Sequence, residues 1–514
     1  MTQPVQLGEP ISLLDVERVA HGAPVTLGDG ARARIQAARD VIERAVAAGT
    51  TMYGVTTGFG ALADTRIDPS QASALQLGIV TSHATAVGPD LLRPEARAML
   101  LLRAHVLALG HSGVRVELVE RMAQMLNADL IPAVPEQGSL GASGDLAPLA
   151  CLALPLVGRG RILTDAGSEP AADALGRAGL APMELEAKEG LALVNGTQGM
   201  LAIGVLALAR AERLLRTADV IAAMTIEASL GTDAPFDDRL QRLRPHPGQS
   251  ASAANLRRLL ANSPLRESHR GSTHLVQDAY SLRCTPQVHG ASRDTARHVA
   301  EVLGIEVNAV SDNPIVLVGA TEDDDEVRSG GNFHGMPVAV ALDSLALSLV
   351  SVASISDRRL YRLLDVKRSN GLPPFLVPES GLNSGFMLIQ YTAASLVSEC
   401  KSLAHPASVD SIPSSAGQED HVSMGMIAAR HARSVVDNTE MVLALEVLAA
   451  AQALDLRAPL RAGPAARAVH EALRAEVPFV EHDREFGADI EAAVALVRAE
   501  RIAAAAAAVA GRLA

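Results

Sequence analysis

The segment GSLGASGD, Gly138–Asp145, runs directly into the apolar stretch LAPLACLALPLVG. In its plainer reading it is a glycine-rich turn, with Ser143 or Asp145 capping a helix that begins near Leu146. A P-loop is excluded, because no Lys-Ser/Thr pair follows, and a dinucleotide fingerprint needs GxGxxG spacing behind a strand. The second reading is chemical. In a tight turn the Gly144 amide nitrogen can approach the Ala142 carbonyl carbon and close a five-membered ring through Ser143. Peptide resonance normally prevents this attack, but a strained turn weakens it and glycine best tolerates the backbone required. Loss of two waters, one carrying the Ser143 hydroxyl, leaves an exocyclic methylene on a conjugated imidazolone, an electrophile made from the chain itself. Asp145 is placed to assist the proton movements, and a following helix N-terminus would stabilise negative charge on the ring.

On both sides of this segment apolar residues recur at helical spacing. Ala31–Ala47 puts Ile35, Ala38, Ile42 and Val46 on one stripe. Leu91–Leu109, Arg115–Leu126, Gly199–Ser229, Asp294–Leu303, Pro337–Leu364, Gly385–Leu403 and Ser423–Leu454 read the same way, and the alanine-rich tail from Glu500 predicts a closing helix. Strand patterns are confined to VTLGDG and Ile315–Gly319. Loops are expected at 136–148, 242–250, 321–335 and 411–425. The expected fold class is mainly α, a long-helix bundle. A division near residue 198 separates an N-terminal catalytic-loop region, 1–198, carrying Ala142-Ser143-Gly144, from the long helices of 199–514.

The 514 residues carry 45 Lys and Arg against 58 Asp and Glu, a net charge of −13, which disfavours non-specific binding to nucleic acid or an anionic membrane. No Trp, four Tyr and seven Phe leave a core built from aliphatic residues and few rings for base stacking. Three widely spaced cysteines, Cys151, Cys284 and Cys400, argue against a disulfide framework or a structural zinc site. The most apolar long stretch, Gly199–Leu215, is interrupted by Arg210, Glu212 and Arg213 and reads as a buried helix. With no basic, apolar leader at the N-terminus, the expected location is cytoplasmic.

ASGD within GSLGASGDLAPL resembles the signature of the aromatic amino acid ammonia-lyases and aminomutases. Further segments of that family recur in order: YGVTTGFG (53–60), SHA (82–84), LVNGTQ (193–198), QDAYSLRCTPQVHG (277–290), SDNP (311–314), GGNFHG (330–335) and QEDHVSMG (418–425). Within the family the histidine ammonia-lyases are the most similar. The resemblance implies a fumarase/aspartase-like superfamily fold and a homotetramer with sites built from several subunits. It also implies the prosthetic group 4-methylidene-imidazol-5-one (MIO), formed from Ala142-Ser143-Gly144, with no external cofactor, no metal, and no nucleic-acid or membrane partner.

The same resemblance assigns roles. Tyr53 is the expected β-proton base and Tyr280 the second catalytic tyrosine. A phenol acting as a base needs electropositive surroundings, which the prosthetic group and helix N-termini supply. Arg283 is the expected carboxylate clamp, since guanidinium binds carboxylate through two parallel hydrogen bonds. Asn195 and Gln277 match amides that contact the ring and the substrate, Phe333 matches a pocket phenylalanine, and Met387 is expected to line the same pocket. Each has a plainer reading as a packing residue, a buried amide or an ion pair.

Substrate choice rests on His83 and Glu419, expected to flank a polar ring. A carboxylate accepts from an imidazole N–H that a phenyl ring lacks. Phenylalanine ammonia-lyases usually carry Gln at the Glu419 position, so the expected reaction is L-histidine to trans-urocanate and ammonia. Phenylalanine or tyrosine ammonia-lyase and aminomutase activity stay open. Two departures bear on this: Gly417 stands where the histidine enzymes usually have Asn, and Ala86 where they usually have Gly. His274, His289, His334 and His421 fit no metal-ligand spacing and are read as structural.

Overall fold

The structure is a computed structural model that describes residues 3–62, 64–272 and 276–514. The chain is 60% helical, about twice the usual share for a globular protein. It divides into two compact units, each discontinuous in sequence: 1–206 with 300–343 and 406–430, and 207–299 with 344–405 and 431–514.

The first unit is organised around the helix Arg93–Ala108, in which every residue from Glu95 to Ala108 is buried. A helix buried all round shows no amphipathic stripe, and two arginines, Arg97 and Arg103, are enclosed with it. Asp29–Ala47 buries the stripe Ile35, Ala38 and Ile42, as its spacing requires. Among the described residues four two-stranded ladders join the loops of this unit. Val5–Leu7 pairs in parallel with Val25–Leu27. Val87–Asp90 pairs with Pro135–Gln137, Arg161–Thr164 with Gly167–Pro170, and Ile315–Leu317 with Glu326–Arg328, all antiparallel. Three stretches expected as loops are therefore partly regular. Pro135–Gln137 and Glu326–Arg328 are strands, and the helix Pro247–Leu259 begins inside an expected loop, with proline at its first position, where no N–H is needed; the helix Leu146–Ala153 begins where it is expected after the glycine-rich turn.

The second unit contains most of the long helices. Gln198–Ala228, Met336–Leu364 and Gly425–Leu456 have 31, 29 and 32 residues. Buried carboxylates join them. Glu446 accepts two parallel hydrogen bonds from Arg359, at 2.6 and 2.8 Å, and one each from Thr225 and Ser356, tying three helices at one point. Asp219 accepts from His289 at 2.8 Å, Arg293 at 2.7 Å, Ser252 and Asn255, tying the helix Thr285–Glu306 to Gln198–Ala228. His289 thus has the structural role its spacing suggested. The closing helix is Arg501–Ala510, packed against Pro464–Arg474 and burying Ile502, Ala503 and Ala506. Among the described residues Met336–Leu364, rather than Gly199–Leu215, is the helix long and apolar enough by length and composition to cross a membrane; its most apolar window is 61% buried, as in the core helix of a folded protein.

Candidate active site

Ala142, Ser143 and Gly144 form a turn between the strand Pro135–Gln137 and the helix Leu146–Ala153. Gly141 and Gly144 have left-handed backbone, φ 70° and 76°, which glycine adopts without steric cost. Gly196 closes on the turn from one side. Its N–H donates to the Ser143 carbonyl at 3.2 Å and its carbonyl accepts from the Asp145 N–H at 2.7 Å. A Cβ on Gly144 would overlap that carbonyl. From the other side the Met424 N–H donates to the Leu140 carbonyl at 2.9 Å, and Ser423 Oγ donates to the Gly141 carbonyl at 3.2 Å.

Asp145 occupies the capping position of the helix Leu146–Ala153 by backbone geometry, but its side chain does not cap that helix. The carboxylate turns inward and accepts from Ser139 Oγ at 2.8 Å and from the Met200 N–H at 2.7 Å, capping the first turn of Gln198–Ala228 instead. Burial pushes its carboxyl up to about 6, against the opposing hydrogen bonds from Met200, Ser139 and Gly199.

A cavity of about 990 Å³, lined entirely by the first unit, opens onto Ala142 and Ser143. Tyr53, His83, Asn195, Phe333 and Glu419 stand in its wall. Ser143 Oγ donates to Glu419 Oε1 at 3.2 Å, and Ser414 Oγ holds the other carboxylate oxygen at 2.8 Å. His83 ends the helix Ala72–His83, with the Phe59 ring edge-on at 6.1 Å. The Tyr53 hydroxyl accepts from the Gly60 N–H at 2.9 Å. Asn195 follows the short helix Glu189–Val194; its amide donates to the Asn313 carbonyl at 3.3 Å and to Asp312 at 3.4 Å.

These residues fit a ring built from the tripeptide. No side chain crowds Gly144, the Ser143 hydroxyl that must leave faces the cavity, and the Ser143 carbonyl that ring closure retains is held by an N–H. Phe59, His334 and His421 also line this cavity, the two histidine rings stacked at 5.7 Å. All three lie inside quoted motifs, yet their residue types alone do not separate wall from core. His274 lies outside the described residues.

The remaining candidates belong to the second unit. Tyr280 opens the one-turn helix Tyr280–Arg283 and is 71% exposed, with the Arg283 guanidinium 4.6 Å from its ring centroid, a cation–π stack. Gln277 is exposed, and its neighbour Asp278 accepts from the Thr232 N–H at 2.7 Å, anchoring the segment. Met387 begins the helix Met387–Leu403 and is half-buried, next to Phe386, which packs on Phe486 at 5.5 Å. None of these four lines the cavity.

Comparison with known proteins gives a consistent picture. The family model "Aromatic amino acid lyase" matches residues 11–475. The histidine ammonia-lyase of Sorangium cellulosum is 53% identical over 497 residues, covering 96% of each chain. The crystal structure of histidine ammonia-lyase from Trypanosoma cruzi superposes with TM-score 0.89 at 42% identity, covering 98% of this chain and 95% of that one. Tyrosine aminomutase from Streptomyces globisporus gives 0.93 at 40% identity, covering 99% of both. With most of its length matched by the family model, and relatives this similar from end to end, the chain belongs to the aromatic amino acid lyase family.

Proposed function

We propose that the protein is a histidine ammonia-lyase that removes ammonia from L-histidine to give trans-urocanate, using an MIO group made from Ala142-Ser143-Gly144. The observation that carries the reading is the Ser143–Glu419 contact: a carboxylate stands 3.2 Å from the hydroxyl of the residue that would supply the electrophilic carbon. A group there can accept an imidazole N–H and so select a ring that has one. The relatives named above that carry the histidine activity support the same substrate.

When formed, the ring supplies the electrophile that activates the substrate. The chain's own residues do the rest. Glu419, with His83 in the same wall, orients the imidazole. Tyr53 takes the β-proton. Asn195 and Phe333 hold the substrate against the turn, and the Gly196 N–H, 3.2 Å from the Ser143 oxygen, stabilises negative charge there. Arg283 and Gln277 hold the substrate carboxylate and amine, Tyr280 serves as the second tyrosine, and Met387 lines the pocket. These last four come from another subunit of a homotetramer; the 71% exposure of Tyr280 in one chain supports an assembly that covers it. A cytoplasmic location accords with the free thiols of Cys151, Cys284 and Cys400.

Three parallel assays test the substrate, with histidine, tyrosine or phenylalanine supplied alone and the conjugated acrylate followed by absorbance. Histidine is expected to react far fastest; turnover of tyrosine alone overturns the assignment.

A further inference from the structure

Behind the cavity wall lies a cluster of buried charge that the roles assigned so far do not use. Arg103, Lys188 and Asp312 each have 0% exposure. Lys188 Nζ donates to Asp312 Oδ2 at 2.8 Å. However the proton is shared between them, this pair sums to zero. Arg103 is left as an excess positive charge. Burial pushes its guanidinium down to about 10, partly offset by Asp312, so it stays protonated near neutral pH.

The placement of that charge is specific. Arg103 Nη1 donates to the Asn195 carbonyl at 2.7 Å and to Gln198 Oε1 at 2.9 Å. Gln198 is itself fixed, its amide donating to Ser311 Oγ at 2.7 Å. The Asn195 carbonyl and the Gly196 N–H are two ends of one peptide, and the Gly196 end donates to the Ser143 carbonyl. A cation on the oxygen of a peptide polarises it and makes its N–H a stronger donor. Arg103 Nε and Nη2 meet no hydrogen-bond partner among the described residues.

We infer that Arg103 is a positioning residue for the electrophile: it fixes and polarises the Asn195–Gly196 peptide that brackets the Ala142-Ser143-Gly144 turn, and so favours ring closure and the charge that develops on Ser143 afterwards. This rests on the function proposed above. Asp312 completes the device by holding the Asn195 side chain from the same side, at 3.4 Å.

The test is Arg103→Met, compared with wild type by intact mass, by the ultraviolet band of the prosthetic group and by steady-state kinetics. Two-water loss in wild type, together with ammonia release from histidine, establishes the underlying reading; their absence would overturn that reading before this inference is reached. Given both, Arg103→Met is expected to contain fewer dehydrated chains, to shift the band, and to lose at least tenfold in kcat per dehydrated chain with KM within twofold. Arg103→Lys, which keeps the charge, should recover part of the loss. A folded Arg103→Met with complete dehydration, an unmoved band and kcat within twofold of wild type overturns the inference. If Arg103→Met does not fold, Arg103→Gln, which keeps a donor and removes the charge, decides: kcat per dehydrated chain should fall at least tenfold with KM within twofold, and wild-type kcat with complete dehydration overturns the inference.

Discussion

Gly144 has room for a hydrogen and nothing larger, because the Gly196 carbonyl occupies the place of a Cβ. Gly144→Ala must therefore push two backbones apart and lose the bracket around the turn. Intact mass should show most variant chains without the two-water loss, and the melting temperature should fall. Ser143→Ala keeps the packing and removes the hydroxyl that must leave. Circular dichroism should match wild type, dehydration should be absent, and ammonia release should vanish; unchanged turnover would contradict the proposed chemistry. Ser143, Tyr53 and Glu419 were legible in the motifs because their residue types suit the proposed chemistry. Arg103 was not: in the run ARAMLLLRAHVLA an arginine reads as solvent-facing, and only the packing of its helix shows it enclosed.

Most long helices were legible to within about two residues, because sustained periodicity is the strongest local signal. The exception is Thr285–Glu306, which periodicity alone starts at Asp294. Pro286 and Gly290 disguise its first turns. Pro286 is tolerated near the N-terminus, and Gly290 lets the backbone of Gly248 and Gln249 approach. Polar joints between helices give two predictions. Glu446→Ala leaves the Arg359 guanidinium buried without its carboxylate and should cost about 3–5 kcal/mol in denaturant unfolding. Glu227 accepts from the Gly463 N–H at 2.7 Å, at the start of the helix Pro464–Arg474, and burial pushes its carboxyl up to about 7 from 4.5. Between those values the folded chain binds more protons than the unfolded one, so this group's contribution to stability is present at low pH and is lost as pH rises through about 7. Glu227→Gln removes the titration. Its melting temperature relative to wild type should climb from about pH 5 to about pH 8; a constant difference would refute the account.

At the scale of the whole molecule, each compact unit gathers three separate parts of the sequence, and the candidate residues sort between them. Tyr53 belongs to the first and Tyr280 to the second. If sites combine chains, Tyr53→Phe and Tyr280→Phe should each be inactive alone, while co-expressed tagged subunits, purified as mixed assemblies, should regain turnover. Mixed assemblies as inactive as either parent would show that both tyrosines must come from one chain. The few aromatic rings also divide. Tyr53, Phe59 and Phe333 line the cavity, whereas Phe386 is spent on a packing pair with Phe486.

Residue types and their local spacing determined the family and the helical class, because any fold must respect them, and they supply the tripeptide from which the proposed electrophile would form. Tertiary structure decided the rest. It turned the Asp145 carboxylate away from the helix it precedes to cap Gln198–Ala228, brought Glu419 against Ser143 across 276 positions, and placed an excess buried cation behind Asn195. Those are long-range contacts whose energies come from burial and pairing, and no local pattern encodes which distant residue will be the partner.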